Sequence, residues 1–240
     1  HASTKLTREF RAITKCISKA EIQEFNCAIT DRNVDKLFSY RTFKYVRAKY
    51  SRICCDMERF ANDADEDMAK YGMGVIYTHT CSQKRFIRPA DGYREQVLHK
   101  YYYPYHKKLD RIVFSALQKR KKVLLIDCHS FSREIIITKP AGKLPDICIG
   151  TDKTFTPQKL TAYSQKYFSS LGYDTAIDTS YCGTMIPNAL FHTAVPGFYA
   201  IMLEINKCLY ADAFRFRKLK KQIFAYLQSL KNCRSAFLCK

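Results

Sequence analysis

The chain has 240 residues, 47% of them hydrophobic, which is enough to bury one substantial core, so we expect a single domain over residues 1–240. No apolar run approaches the ~20 residues of a membrane-spanning helix and no secretory signal opens the chain, so we expect a cytoplasmic protein with no membrane partner. The formal net charge of +19 would attract a polyanion, but dense basic clusters are few, and we expect no specific nucleic-acid partner.

The cysteines also indicate the compartment. There are eleven of them, an odd number, and many stand inside apolar runs. This usage is typical of small buried side chains in a reducing compartment and not of a disulfide framework. No two cysteines have the C-x-x-C spacing, so a thiolate zinc site is not expected.

The beginning of the chain predicts two short helices. Residues 18–26 have a capping serine, acidic residues in the first turn and apolar residues at helical spacing. Either Thr30 or Asp31 would cap a second helix whose apolar face carries residues 34–38. A carboxylate at position 31 can serve as a cap or bind a metal.

Further strands and a long helix are predicted next. The β-branched and aromatic residues of 45–57 predict one or two strands, and 75–80 predicts another. Residues 93–120 predict the long central helix, which Pro104 should kink or divide because proline removes one backbone hydrogen bond.

The stretch that follows this helix carries the first candidate site. Residues 123–126 are an apolar run typical of a buried strand, and Asp127, His129, Ser130 and Arg133 come directly after it. The carboxyl ends of strands border the ligand crevice in open α/β sheets, so these side chains are candidates for one cleft. His129 is the natural metal ligand, with Asp127 either orienting it or lying just behind it. The alternative is a histidine that only caps a turn.

The second half of the chain alternates strands with helices, which indicates an α/β layered domain. The predicted elements are a strand at 146–151, a helix from Pro157 to about Leu171 capped by Thr156, strands at 173–178 and 198–205, and a helix at 214–230. Glu204 stands near the end of the strongly apolar strand 198–205. Burying it there would cost on the order of several kcal/mol without a metal, cation or donor.

Six segments of the chain closely resemble the N-formylglutamate amidohydrolase family. They occur in the family's order and cover most of the chain to about residue 210; they are YSRICCDMERF (50–60), GMGVIYTHT (72–80), YYPYHKKL (102–109), LLIDCHSF (124–131), PDICIGT (145–151) and LEINKCLY (203–210). The opening HAST is similar to the family's PHAS-type motif, whose histidine follows a strand. The strand and proline are missing here, so we expect the amino terminus to be incomplete.

The resemblance implies an α/β, three-layer fold with a central mixed sheet flanked by helices, similar to the zinc carboxypeptidases. It also implies one zinc ion held by His1, Asp31 and His129, with Asp31 matching the family's Thr-Asp segment. Two histidines and one carboxylate leave a fourth position for water, as zinc hydrolases need. Glu204 matches the family's late glutamate, which would take a proton from that water.

The same resemblance implies hydrolysis of an N-formyl or N-acyl amide of an acidic amino acid, with N-formyl-L-glutamate as the family's example. Arginine binds both oxygens of a carboxylate, so Arg133 and Arg59 are the favoured substrate binders and Arg52 a further candidate. Pairing of these arginines with Asp56, Glu58 or Glu134 is the rival use. The alternative functions are a zinc amidase acting on peptidoglycan or other N-acyl amino acids, and an inactive basic binding protein with the same fold.

Overall fold

The computed structural model describes residues 1–13, 17–132, 143–191 and 193–232. The chain divides into two compact units. Of the described residues, the first unit holds 1–32 and 45–109, and the second holds 33–44, 110–132, 143–191 and 193–232. Among the helices in these ranges, none is both long enough and apolar enough to cross a membrane.

The first unit is built mainly from helices and turns around its own apolar core. Its elements are α1 (Arg8–Ile13), α2 (Lys19–Ile29), two 3₁₀ turns (Asp63–Asp65 and Asp67–Tyr71), α4 (Tyr93–Val97), a π-helical turn (Leu98–Tyr102) and the start of α5 (Tyr103–Arg120). The predicted helix near residue 18 is confirmed as α2. Ser18 accepts from the backbone N–H of Glu21, whose side chain accepts from the backbone N–H of Ser18, a complete capping box.

The strands predicted at 45–57 and 75–80 are wrong. Residues 45–57 form turns, in which the N–H of Cys54 donates to the carbonyl of Ser51. Residues 75–80 take part only in isolated bridges, Met73 with Tyr77 and His79 with Arg85. Residues 53–55 are nevertheless fully buried. The apolar residues of this segment therefore indicate burial in the core and not a β-strand.

The long helix predicted at 93–120 is divided, as expected from its proline. The segment runs as α4, the π-helical turn and α5, and Pro104 is the second residue of α5. Proline has no N–H to donate to the preceding turn, which explains why regular α-helical bonding is interrupted just before it.

The second unit contains a four-stranded mixed sheet, as predicted. Its strands are β1 (Val123–Phe131), β2 (Ile147–Gly150), β3 (Thr175–Ile177) and β4 (Phe198–Asn206), in the order β1-β4-β2-β3. β1 is parallel to β4, β2 is antiparallel to β4, and β2 is parallel to β3. β1 continues past residue 126, so Asp127 and His129 lie within a strand and not beyond its end.

One face of this sheet packs against helices. The helices of the unit are α3 (Val34–Leu37), α6 (Gln158–Ser170) and α7 (Ala213–Asn232), with 3₁₀ turns at Asn188–Leu190 and Lys207–Tyr210. Alternate residues of β4, from Tyr199 to Ile205, share one apolar cluster with Phe168 of α6 and Tyr226 of α7. Since successive side chains of a strand point to opposite faces, Glu204 lies on the other face.

Two predicted caps are wrong. α3 begins after Asn33, not after Thr30 or Asp31, because the Thr30 hydroxyl donates to the carbonyl of Asn26 and ends α2. α6 begins after Pro157, because the Thr156 hydroxyl donates instead to the carbonyl of Ala200 on β4.

The turn into β4 yields a prediction about stability. Gly197 has φ +86° and a Cβ there would lie 2.0 Å from the carbonyl oxygen of Lys121, whereas Gly172 has φ +87° with nothing within 4 Å. We expect Gly172→Ala to cost about 1 to 2 kcal/mol for the left-handed backbone alone, and Gly197→Ala a further 1 to 3 kcal/mol for the clash. Urea unfolding of both variants checks this. Equal losses would contradict the close approach of the two backbones.

Candidate functional site

In the second unit, the pairing of β1 with β4 places His129 directly beside Glu204. The two residues are register partners on parallel strands, so their side chains share a face of the sheet. His129 is 3% exposed and Glu204 is 6% exposed. A buried imidazole next to a buried carboxylate is a pair of groups able to bind a cation or exchange a proton.

Asp127 fixes the orientation of His129. Its Oδ1 lies 2.8 Å from Nε2 of His129, two residues along the same face, and its Oδ2 accepts from the backbone N–H of Met185 at 2.9 Å. A carboxylate accepts, so Nε2 donates and Nδ1 is the ring nitrogen with the lone pair. This is the orienting role that the sequence predicted for Asp127.

A third strand contributes Cys148 to the same face. Cys148 on β2 is the antiparallel register partner of Glu204, so Glu204 lies between His129 and Cys148 in a row across three strands. The thiol donates to the carbonyl of Tyr181 at 3.3 Å and is fully buried. No local pattern predicts this neighbour, because the pairing of β2 with β4 joins residues 56 positions apart.

In the first unit, the imidazole of His1 contacts two carboxylates. Nε2 lies 2.9 Å from Oδ1 of Asp56, and Nδ1 lies 3.5 Å from Oε1 of Glu58. The His1 side chain is nearly fully buried. Within their own units, His1 and His129 therefore each have an aspartate oxygen within 2.9 Å of Nε2, and such carboxylate neighbours are usual for metal-binding histidines.

Asp31 lies at the backbone of His1. Its Oδ2 is 3.8 Å from the backbone nitrogen of His1, and its own N–H donates to the carbonyl of His1 at 3.2 Å. Asp31 is 1% exposed and follows the end of α2. The carboxylates of Asp56 and Glu58, described above, contact the His1 ring.

Asp56 is the centre of a buried network of charges. Its Oδ2 accepts from Nε of Arg52 at 3.0 Å and from the hydroxyl of Tyr77 at 2.7 Å, and Nε of Arg59 lies 3.7 Å away. Burial by itself would raise the pKa of Asp56, but Arg52 and Arg59 outweigh it and the pKa lies below its usual value. Asp56 is therefore ionised at neutral pH, in the form that can hold the His1 ring.

The three arginines proposed as substrate binders differ in their surroundings. Arg52 has its fork engaged by Asp56 and Glu58, the rival use of an arginine. Arg59 lies 3.7 Å from both Asp56 and Glu66, beyond hydrogen-bonding distance, and its Nε makes no hydrogen bond to any described residue. Arg133 lies outside the described residues.

The sequence interpretation treated Asp56 and Glu58 only as possible partners of arginines and missed their contacts with His1. The signal that could have found them is the segment CCDMERF, in which two acids follow buried residues immediately. Two acids beside a histidine from a distant part of the chain form a group with the donors for a metal or a proton transfer.

A comparison with protein-family models agrees with this chemistry. The model for N-formylglutamate amidohydrolase matches residues 1–211, most of the chain. The chain belongs to the N-formylglutamate amidohydrolase family. The match includes the segments that carry His1, Asp56, His129 and Glu204. Membership of an amidohydrolase family supports hydrolysis of an amide in a small molecule.

Solved structures show the same fold. N-formylglutamate amidohydrolase from Ralstonia eutropha JMP134 is similar with a TM-score of 0.77 and 18% identity, over 98% of this chain and 91% of that one. A gene product of Agrobacterium tumefaciens is similar with a TM-score of 0.65 and 17% identity, over 96% of this chain and 89% of that one. No curated protein matches the chain. The predicted α/β fold with helices on a mixed sheet is confirmed.

The network around Asp56 yields a prediction about stability and pH. We expect Asp56→Asn to lower the free energy of unfolding by about 3 kcal/mol at neutral pH, because Arg52 and Arg59 lose a shared buried carboxylate. A carboxyl with a lowered pKa stabilises the fold above its unfolded pKa, near 3.8, and that stabilisation is lost as the pH falls further. The difference between variant and parent should therefore shrink below about pH 4.

Denaturant unfolding at a series of pH values measures this difference. Asp67→Asn is the matched control, because the Asp67 side chain is almost fully exposed and its contact with Lys70 is 3.9 Å long. The control should change stability by less than about 0.5 kcal/mol. A difference for Asp56→Asn that does not depend on pH would contradict the charged network.

Proposed function

We propose that the protein is a zinc-dependent hydrolase that cleaves an N-formyl or N-acyl amide of an acidic amino acid, with N-formyl-L-glutamate as the first substrate to test. The observation that carries the proposal is the buried pair His129 and Glu204 on adjacent strands, in a chain of the N-formylglutamate amidohydrolase family. The eight described cysteines are all free, which supports action in the cytoplasm.

The donor set fits zinc. Nε2 of His129 donates to Asp127, which leaves Nδ1 able to bind a metal, and Nε2 of His1 lies 2.9 Å from Oδ1 of Asp56. Zinc accepts imidazole nitrogen and carboxylate oxygen, and a catalytic site takes three protein ligands. The family resemblance assigns two of the ligands to His1 and His129.

The third ligand is a carboxylate of the first unit. The family resemblance assigns it to Asp31. Glu58 is the other candidate, because its Oε1 lies 3.5 Å from Nδ1 of His1, the nitrogen that would face a metal. Asp56 is the orienting group and not a ligand, since its carboxylate is already occupied by Arg52, Tyr77 and His1.

Glu204 is assigned as the general base. Zinc, when bound, lowers the pKa of water to about 7 and polarises the scissile carbonyl. Glu204 takes a proton from the attacking water and passes it to the nitrogen of the leaving amine, so that the amide bond breaks with no net change at the glutamate. The buried position beside His129 keeps bulk water away from this proton transfer.

Arg59 is the favoured binder of the substrate carboxylate among the described arginines. Its Nε lacks a hydrogen-bond partner among the described residues, so its fork has donors to offer to a planar anion. Arg52 is already hydrogen bonded to Asp56 and Glu58, which favours a structural role for it. Arg133 remains a proposed binder on the family resemblance alone.

The first test is a direct assay. Purified protein is supplied with N-formyl-L-glutamate, other N-acyl amino acids and peptidoglycan fragments, and the released formate or amine is measured before and after chelation. Formate release from N-formyl-L-glutamate that is abolished by the chelator and restored by zinc is the expected result. Cleavage restricted to peptidoglycan fragments would favour the alternative zinc amidase, and no cleavage of any amide would favour a binding protein.

A prediction about metal content tests the ligands. His129→Ala should reduce bound zinc from about one per chain to near zero, since losing one of three protein ligands removes most of the affinity. Elemental analysis of the purified variants measures it. Asp31→Asn and Glu58→Gln form a matched pair, and the one that loses zinc identifies the third ligand. Unchanged zinc in His129→Ala would move the metal site elsewhere.

A prediction about rate tests Glu204. Glu204→Gln should leave a folded, zinc-loaded protein whose turnover is lower by roughly two to four orders of magnitude, because the amide keeps the volume but cannot accept the proton. Stopped assays with the substrate that the first test identifies measure the loss. A variant that melts at a lower temperature but turns over at the parent rate would leave Glu204 with only a structural role.

A further inference from the structure

The outward face of α7 carries charge of one sign. The 20 residues of this helix include five lysines and arginines in 215–221 and Lys231, and no aspartate or glutamate. The face that packs inward is apolar and contributes Leu219, Ile223 and Tyr226 to the core. The outward face therefore presents a basic surface.

Three of these cations have no acidic partner. Arg217, Lys218 and Lys221 make no ion pair with any residue in the part of the chain that the structure describes. Arg215, by contrast, pairs with Asp212, and Lys220 lies over the ring of Tyr40. Charges left without partners on one surface act together on an anionic partner.

Two phenylalanines flank the three cations. Phe214 is 73% exposed and Phe224 is 37% exposed, and both belong to the few large apolar side chains exposed in the described residues. At 100° per residue, positions 214, 217, 218, 221 and 224 fall within about one third of the helix circumference. The two rings are ten positions apart, which corresponds to about 15 Å along the helix axis.

We propose that this face of α7, with Phe214, Arg217, Lys218, Lys221 and Phe224, docks on the surface of an anionic lipid bilayer. Helices that lie on membranes combine aromatic side chains, which enter the interface, with lysines and arginines, which attract anionic headgroups. Long cationic side chains keep their charge at the headgroups while their stems contact apolar material. An anionic bilayer offers an apolar interface to the phenylalanines and anionic headgroups to the cations.

The shape of the surface favours a bilayer over a nucleic acid. Single strands bind in basic grooves where aromatic rings stack on successive bases, but this surface is the convex side of one helix with its two rings about 15 Å apart. Phenylalanine offers no hydrogen bond to a base edge. A flat, deformable surface accommodates a convex helix without such contacts.

The docking surface is separate from the residues proposed for catalysis. α7 packs on the face of the sheet formed by alternate residues of β4 from Tyr199 to Ile205, whereas Glu204 and its partner His129 lie on the opposite face. Variants of the docking surface should therefore keep the activity of the parent. The proposal stands whether or not the amide hydrolysis is found.

The experiment is sedimentation of the full chain with vesicles of phosphatidylcholine, with and without about 30% phosphatidylserine. The parent is expected to bind the anionic vesicles only, and less tightly as salt rises. Each cation at such a surface is worth about fivefold in partitioning, so the triple variant R217Q/K218Q/K221Q should bind roughly 100-fold more weakly. Phe214→Ala should weaken binding about tenfold.

Matched controls separate local docking from total charge. The triple variant K153Q/K159Q/K166Q removes the same three charges from exposed positions on and before α6, and Phe114→Ala removes a comparable exposed ring. Both controls should bind like the parent. Equal loss in the two triple variants, or no vesicle binding by the parent, would overturn the proposal. Tight binding of a single-stranded oligonucleotide that is lost only in R217Q/K218Q/K221Q would assign the surface to nucleic acid instead.

Discussion

The parallel register of β1 with β4 is the constraint on which the candidate chemistry of the second unit depends. Nine residues of each strand pair in order, and this order puts His129 opposite Glu204 and Asp127 opposite Met202. A slip of one residue would turn Glu204 toward the core formed with Tyr226 and Ile223. The apolar packing of α6 and α7 on one face of β4 therefore also fixes where the carboxylate on its other face must be.

Much of the second unit was predictable because its signals are local. The apolar runs of β1, β2 and β4 and the amphipathic pattern of α7 each lie within about twenty residues, and the structure confirms them. The face taken by Glu204 was not predictable in the same way. β4 is buried on both faces, so its sequence FYAIML shows no alternation from which a face can be chosen.

The first unit was less predictable because its decisive contacts join distant parts of the chain. Asp56 holds His1, Arg52 and Tyr77, and no periodic pattern relates positions 1, 56 and 77. The apolar residues around Asp56 predicted a strand, but a carboxylate buried among turns needs donors from several directions, and a strand presents its side chain to one face only. The polar network, and not the β-propensity of its neighbours, decides the local backbone.

The cationic side chains of the protein are of two kinds, buried and exposed. Arg52 and Arg59 are buried against Asp56, Glu58 and Glu66, so their charge is largely cancelled within a few ångströms, and both arginines lower the pKa of Asp56. Arg217, Lys218 and Lys221 on the outward face of α7 have no such partners among the described residues, and their field extends over about a Debye length into solvent. A formal sum of +19 counts both kinds equally. The attraction of a macromolecular anion depends on the exposed kind alone. The proposal that Arg59 binds a small carboxylate rests instead on its Nε, which has no hydrogen-bond partner among the described residues.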